Sequence, residues 1–563
     1  MKADLTRNTF DPLKHYARVL MQQGRVQMDS DWNEQAAILL HHLRTLAADL
    51  IGPAGGPGDN GFALSGPLPV PGDFSIGLGH YYVDGILCEA DADSLEVVVT
   101  AASEVQVSQS TLDGRVFDAN RMVELFDDVG PMGTPAFPPT VVLITGVNQA
   151  TRKLTLQTTL DLVALKPLNP SLRGVITYLT QPDYPNPGKI PAAADANFLV
   201  YLDVWERHLT WIEDDSIREV ALGGPDTASR SKVVWQVKAA KGQPTSTDKP
   251  CDKFKFDDTT LLGKLLSGDR GRLKAMAKQK SASTDPCIIA PDANFRGPEN
   301  QLYRVEIHSP GVASKSKSDF SGGTSADGTG GAPGIATFKW SRENGSVTYP
   351  IIGSMVAGSG VATISLASLG RDDRYGLVEG DWVEIQDDDY MLRGQAGNLL
   401  KVQSLDRSRR QVILAGTVDP GIGTDPAKHP LLRRWEQKQG DPAEGGLTLA
   451  KNGAAILEER NDAMWLSLED GVQIQFQSAL AGRTNLYRTG DYWLIPARTA
   501  TEDVEWPTET VTDSQGNSVT SPLAKPPLGI RHHYAPLGVV AVAAGGTVTV
   551  LGDKQNTCRK SFK

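Results

Sequence analysis

Several groups of residues in this sequence have the composition of a chemical site. Glu213-Asp214-Asp215 and Asp387-Asp388-Asp389 each place three carboxylates in a row, and multiple oxygen ligands are what a calcium ion takes. Neither run has EF-hand or glycine-rich calcium-repeat spacing, so both read as solvated acidic loops. His532-His533-Tyr534 and His41-His42 bring imidazoles together. Neighbours on a strand point to opposite faces, and adjacent helix residues do not face one another. These histidines therefore read as surface or packing residues, with no metal implied. Gly223-Gly224-Pro225-Asp226 is glycine-rich, but Pro225 removes a backbone donor that phosphate binding would use, which leaves a turn. Trp205, Trp211, Trp235, Trp340, Trp382, Trp435, Trp465 and Trp493 have the side chain on which sugars stack. Most lie in apolar strand runs, where core packing is their ordinary role. A glycan-binding patch of one or two of them is the alternative.

The chain has no Gly-x-x-x-x-Gly-Lys-Ser/Thr loop, no Gly-x-Ser-x-Gly elbow and no His-Glu-x-x-His. The expectation is a non-enzymatic protein without cofactor or metal. Lys plus Arg is 56 and Asp plus Glu is 67, a formal net charge of −11. That balance argues against a nucleic-acid partner, which wants a basic face, and against a polybasic membrane anchor. No stretch approaches the roughly 20 apolar residues of a membrane span, and the first residues lack the apolar core of a secretion signal. A cytoplasmic protein, or one released within an assembled particle, is expected. The four cysteines form no Cys-x-x-Cys pair. Free thiols in a reducing compartment are expected, with a Cys251–Cys287 bridge as the alternative.

The elements behind these residues are mainly strands. The 563 residues include 56 Gly and 35 Pro, which favours turns and short strands. At about 150 residues per domain, the length suggests three or four units. The clearest exception is a helix. Asp29, Ser30 and Asp31 are good N-caps, and Asp31 with Glu34 has capping-box spacing. Trp32, Ala36, Leu39, Leu43, Leu46 and Leu50 then recur at alternating steps of four and three, a heptad seam widened by Leu40 and Ala47. Gly52-Pro53 stops it. Ahead of it, residues 1–29 read as an extended arm.

Asn344-Gly345 predicts a hairpin pairing Trp340 with Tyr349 and Phe338 with Ile351, and Asp470-Gly471 one pairing Trp465 with Phe476. Asp84-Gly85 marks a third turn. Further strands are expected at Phe198–Val204, Val233–Val237, Leu302–Ile307, Asp381–Ile385, Tyr492–Ile495 and Leu537–Val542. A Lys-rich stretch around Leu261–Lys280 reads as helical. The Ser/Gly-rich residues 309–334 read as a flexible insertion at the tip of an antiparallel pair. Gly380-Asp381-Trp382 and Gly490-Asp491-Tyr492 look alike, each a turn entering a strand, a hint of two related small barrels. The fold class is thus mainly β with an N-terminal α-helix: several small sandwich- or barrel-like units plus a short helical insertion. The segments are 1–53 (arm and helix), 54–238 (β-rich), 239–292 (insertion), 293–430 (β-rich, with loop 309–334) and 431–563 (β-rich).

Phe10-Asp11-Pro12-Leu13-Lys14-His15-Tyr16, Val19-Leu20-Met21-Gln22-Gln23-Gly24-Arg25-Val26 and Asp31-Trp32-Asn33-Glu34-Gln35 resemble the N-terminal signature of an uncharacterised bacterial domain family. Its members occur with extracellular contractile injection systems, relatives of phage tails. The start is also similar to some phage baseplate and tail-fibre proteins, as is the turn Tyr82-Val83-Asp84-Gly85-Ile86. Tyr201–His208, Arg218–Thr227, Glu299–His308 and Phe338–Val347 extend the resemblance over most of residues 1–540. It implies a structural subunit of a contractile particle, in the baseplate, cap or tube-associated layer. The implied partners are other particle subunits and further copies of the chain, such as a trimer. Phe10, Pro12, Tyr16, Arg25, Trp32, Asn33, Glu34, Leu39, Leu43, Leu46 and Leu50 form the candidate interface. A non-enzymatic cargo, or a glycan- or cell-surface-binding module, is the alternative.

Overall fold

The structure, a computed structural model, describes residues 1–58, 61–127, 137–158, 160–165, 170–192, 197–241, 270–277, 294–314, 334–358, 360–370, 376–460, 464–512, 516–551 and 558–562. It is mainly β, with one long helix among the described residues, α1 (Asp29–Ile51). Two compact units interleave along the chain. One comprises Met1–His42, Trp205–Lys232 and Lys264–Arg531; the other comprises Leu43–Val204, Val233–Gly263 and His532–Lys563.

In the first unit, five strands form a sheet in the order Ala455–Ile456, Thr337–Ser341, Gln301–Ile307, Tyr492–Arg498 and Asp503–Val504. A six-stranded closed barrel runs from Thr348–Gly358 through Val361–Leu366, Gln411–Ala415, Leu399–Asp406 and Trp382–Gln386 to Leu431–Trp435. Every residue of Gln301–Ile307 and Thr337–Ser341 is buried, so this part of the sheet is covered on both faces. Alternation gives those faces opposite characters. Tyr303, Val305, Ile307, Phe338 and Trp340 enter an apolar core with Phe476 and Trp493. Arg304, Glu306, Lys339 and Ser341 occupy the other face.

The second unit holds another closed barrel, Met122–Phe126, Thr140–Asn148, Lys153–Gln157, Glu104–Val107, Ser94–Ala101 and Ser171–Gly174. It also holds a hairpin, Gly79–Val83 with Ile86–Ala90, in which Val83 faces Ile86 across Asp84-Gly85. Both turn residues have positive φ (48° and 75°), as a two-residue hairpin turn requires. A Cβ on Gly85 would lie 2.0 Å from the Arg44 carbonyl oxygen, so this turn seats the second half of α1. All six further strands expected from the sequence are present, within longer or shifted bounds.

Three expected pairings or elements are not formed as read. The Asn344-Gly345 turn has the required backbone, φ 54° and 67°, but no hairpin follows. Trp340 pairs with Val305 and Phe338 with Ile307, while Thr348–Gly358 departs into the barrel. The turn's polar groups are engaged elsewhere: Arg433 donates to the Gly345 carbonyl, and the Asn344 amide holds the N-terminal arm. At Asp470-Gly471 the hairpin forms with a one-residue shift. Leu466 faces Ile474 and Ser467 faces Gln473 around the three-residue loop Glu469-Asp470-Gly471, so Trp465 does not face Phe476. The described part of the expected Lys-rich helix, Arg272–Ala277, is a strand paired with Val472–Gln477. Leu273, Ala275 and Ala277 are buried in alternation, and that two-residue period outweighs the helical propensity of Lys, Leu and Ala.

The two Gly-Asp-aromatic segments are both turns entering strands, with Gly380 at φ 94° and Gly490 at φ 82°. One opens a barrel strand and the other a strand of the five-stranded sheet, so they are not matching parts of two related barrels. The segment after Gln301–Ile307 does link antiparallel neighbours; its residues 315–333 lie outside the described ones. So do Cys251 and Cys287. Cys88 is a free, buried thiol, whereas Cys558 is disulfide-bonded, which corrects the expectation of free thiols throughout. No helix among the described residues is long and apolar enough to cross a membrane.

Candidate functional site: an anchored arm and an exposed helix seam

The polar face of the five-stranded sheet is covered by the start of the chain. Asn344 Nδ2 donates to the carbonyls of Met1 (3.2 Å) and Ala3 (2.7 Å). Arg304 Nη1 donates to Met1 O and to Asn344 Oδ1, both at 3.2 Å. Lys2 Nζ lies 2.9 Å from Glu306 and 5.7 Å from the centre of the Trp435 ring. Beneath it, Lys339 bridges Glu306 (3.5 Å) and Glu384 (2.6 Å), and Trp435 Nε1 donates to Glu384 (2.8 Å). Further along, Arg498 donates to Thr6 O (3.1 Å), and Arg7 pairs with Glu505 (3.2 Å).

This socket is electrostatically demanding because its charges are out of water. Burial works to raise the Glu306 carboxyl, but Lys2, Arg304 and Lys339 outweigh it and hold it well below the usual range. Burial pushes the Lys2 ammonium down to about 8 against the pull of Glu306. Burial, reinforced by Lys339, pushes His308 down to about 4. His208 falls to about 3 through burial and the cations around it. Both imidazoles are therefore neutral near pH 7.

After the socket the chain makes a closed excursion. Thr6 N and Oγ1 donate to the Asp29 carboxylate at 2.9 and 2.5 Å, so residues 6 and 29 meet. Thr9 Oγ1 donates to Glu34 (2.6 Å), Phe10 packs on His41 at 5.7 Å between ring centres, and Val19 N donates to Gln35 Oε1 (2.8 Å). Pro12 opens a 3-10 turn capped by Asp11. Tyr16 and Arg25 are exposed. The expected capping box is not formed: α1 starts at Asp29, Asp31 lies within it, and Glu34 is taken by the arm.

The helix has no interior Gly or Pro, and it ends at Gly52 (φ 90°), whose N–H donates to Ala48 O. Its inward face carries Ser30 and Ile38, both 1% exposed. At 100° per residue these lie on the side away from the heptad seam. Trp32, Leu39, Leu43, Leu46 and Leu50 are 54–78% exposed, and Asn33 beside them is exposed as well. The seam is therefore not what holds α1 to its own chain. Twelve of the twenty-eight large hydrophobic side chains exposed among the described residues fall between Leu13 and Leu50. That concentration makes this short stretch the densest run of exposed large hydrophobic side chains among the described residues.

The sequence brought the arm and helix residues forward. It missed Lys2, Ala3, Thr6 and Arg7 and their partners Arg304, Glu306, Asn344, Arg498 and Glu505. One signal was available: Arg304 and Glu306 alternate with apolar residues in an expected strand, and Lys339 does the same in its neighbour.

A family model for a family of unknown function, DUF6519, matches residues 1–116, 187–246 and 239–551. The chain belongs to the DUF6519 family. No curated protein and no solved structure matches it.

The other chemical candidates of this DUF6519 member resolve into structural roles. Asp387 caps the short helix Asp388–Leu392, Asp388 pairs with Arg207 and His429, and Asp389 pairs with Lys428. Glu213 accepts from Thr210, Asp214 from Ser216, and Asp215 pairs with Arg218. His532 and His533 each have their own aspartate, Asp203 (2.7 Å) and Asp84 (2.8 Å). Among the described residues no group of three or more His, Cys, Asp or Glu is placed to hold a metal. Gly223 and Gly224 form a turn. Trp205, Trp235, Trp340, Trp435 and Trp493 are buried in the core, as expected. A cleft beside Trp382, lined also by Asp381, Arg434 and Glu436, encloses about 150 Å³. Small-molecule sites usually start near 300 Å³, and Arg434 is already paired with Glu343 and Glu436.

Proposed function

We propose that this protein is a structural subunit of a phage-tail-like contractile particle, held among its neighbours by the N-terminal arm and the seam of α1. The observation that carries the reading is the seam itself. A heptad row of large apolar side chains faces solvent on the side opposite the helix's buried residues, and such a row is built to meet another helix or groove. The socket for residues 1–7 and the Thr6–Asp29 bonds tie the arm to the start of α1. The particle is suggested by the arm's likeness to the starts of baseplate and tail-fibre proteins. An assembly role fits the polar clusters, whose charges are engaged by one another. The protein would be made in the cytoplasm and leave it only within the particle.

The test is incorporation. Tagged chain is expressed in the producing cell, particles are purified, and the tag is located by electron microscopy. The expected result is ordered, symmetric density for the wild-type chain and its loss for Leu39→Glu/Leu43→Glu. Absence from particles, or equal incorporation of the variant, overturns the proposal. Disordered density inside the tube would identify a cargo instead.

A further inference from the structure

We infer that the seam's partner is the same seam of a second copy, packed antiparallel about a two-fold axis. The inference rests on reading the seam as an assembly contact, and it follows from the order of side-chain sizes along it. With the spacing observed, Ala36, Leu43 and Leu50 take the a positions and Trp32, Leu39 and Leu46 the d positions. In a parallel pair each layer meets its own kind. Trp32 then opposes Trp32 and, one layer on, Ala36 opposes Ala36, so the bulkiest and the emptiest layers are neighbours. Packed interiors tolerate neither crowding nor voids. In an antiparallel pair Trp32 meets Leu50 of the second copy, Ala36 meets Leu46, and Leu39 meets Leu43. The layers then differ far less in volume than the Trp–Trp and Ala–Ala layers of a parallel pair.

The flanks agree with this arrangement. Leu40 meets Leu40 of the second copy on one side of the axis, which covers the residue that widens the stripe. On the other side Gln35 meets Asp49. Gln35 Oε1 already accepts from Val19 N, which leaves its amide NH2 to donate to that carboxylate. Nearest the axis on that side His42 meets His42 of the second copy, and no carboxylate opposes a carboxylate along the seam. The same contact brings the arm close: Leu20 and Met21, 70% and 47% exposed, follow Val19, which Gln35 holds, and Gln35 meets Asp49 of the second copy, the neighbour of Leu50. The occupant is thus a second copy, and a closed two-fold contact ends with the pair.

The experiment uses the full chain carrying single cysteines. Leu39→Cys and Leu43→Cys are made with different tags, mixed, oxidised gently and run without reductant beside the unsubstituted chain. The expected result is a covalent heterodimer from the mixture and no added cross-link from either variant alone. Sedimentation at high concentration should give a dimer for the wild-type chain and a monomer for Leu43→Glu. Cross-linking of Leu43→Cys with itself, a wild-type chain that stays monomeric, or a dimer that survives Leu43→Glu overturns the inference. If a monomeric chain still enters particles, the assembly reading stands and only the antiparallel pair falls.

Discussion

Replacing Glu306 by Gln removes one charge and almost no volume, and the socket predicts a large effect. The carboxylate is 3% exposed and lies 2.9 Å from Lys2, 2.6 Å from Arg304 and 3.5 Å from Lys339. Without it Lys2 and Arg304 lose the carboxylate they pair with, and Lys339 keeps Glu384. Removing one partner of a buried ion pair costs about 3–5 kcal/mol, because the remaining charge is left uncompensated. Lys2→Met works in the opposite direction. It removes a cation from a cluster rich in cations, and Glu306 keeps Arg304 and Lys339. The loss is then one charge-assisted hydrogen bond, about 1.5 kcal/mol. Native-state hydrogen exchange on Gln301–Ile307 reads this difference without assuming that both units unfold together. Glu306→Gln should lower protection by roughly two to three and a half orders of magnitude and Lys2→Met by about one. If Lys2→Met costs as much as Glu306→Gln, the arm rather than the charge balance stabilises this face, and the reasoning fails.

Other consequences are as direct. His308 titrates near 4 in the fold against an ordinary 6.5, so the unfolded chain takes up its proton first as pH falls. The stability tied to this residue is present above pH 6.5 and is lost towards pH 4, by about 1.4 kcal/mol per pH unit. Melting curves across that range should show the decline, and His308→Gln should flatten it. Gly85→Ala should lower the melting temperature sharply, since its Cβ meets the Arg44 carbonyl oxygen at 2.0 Å. Gly114→Ala, with similar φ and nothing within 4 Å, should cost only backbone strain, about 1–2 kcal/mol. Leu43→Glu should leave the monomer's melting temperature nearly unchanged, because the side chain it replaces is already 64% exposed.

What the sequence revealed and what it hid divide along a physical line. The helix, its seam and its stop were legible because a 3.6-residue period and Gly-Pro punctuation are local signals. The Asp84-Gly85 hairpin was legible for the same reason. Asn344-Gly345 carried an equally strong local signal and misled. Its backbone is that of a hairpin turn, yet the strands part: the first pairs with Gln301–Ile307, the second joins the barrel, and Arg433 and the arm, distant in sequence, hold the turn's polar groups. The socket was hidden in the same way. Lys2, Glu306 and Lys339 are each unremarkable alone, and only the sheet brings them within 4 Å. The interleaving of the two units is likewise invisible to a reading that cuts the chain into consecutive segments.

The seam's energetics explain why an arm accompanies it. Fully burying a leucine contributes about 1.5–3 kcal/mol, and the seam leucines are 54–78% exposed, so each offers roughly 1–2 kcal/mol. Four leucines with Trp32 and Leu40 then give a gross gain on the order of 10–20 kcal/mol for two facing helices. Association costs about 4–15 kcal/mol before any specificity is gained. A seam of this length therefore forms a contact of modest strength when it acts alone. It becomes decisive where its neighbours are already close, as in a particle with many copies. Ordering the helix in advance lowers the association cost further. The ion pairs of Lys2 and Arg7 and the Thr6–Asp29 closure do that ordering from the N-terminal end, and Gly85 supports the other half of the helix. If the seam is the assembly contact proposed above, cutting the arm from the socket should weaken the wild-type dimer seen by sedimentation even though no seam residue changes.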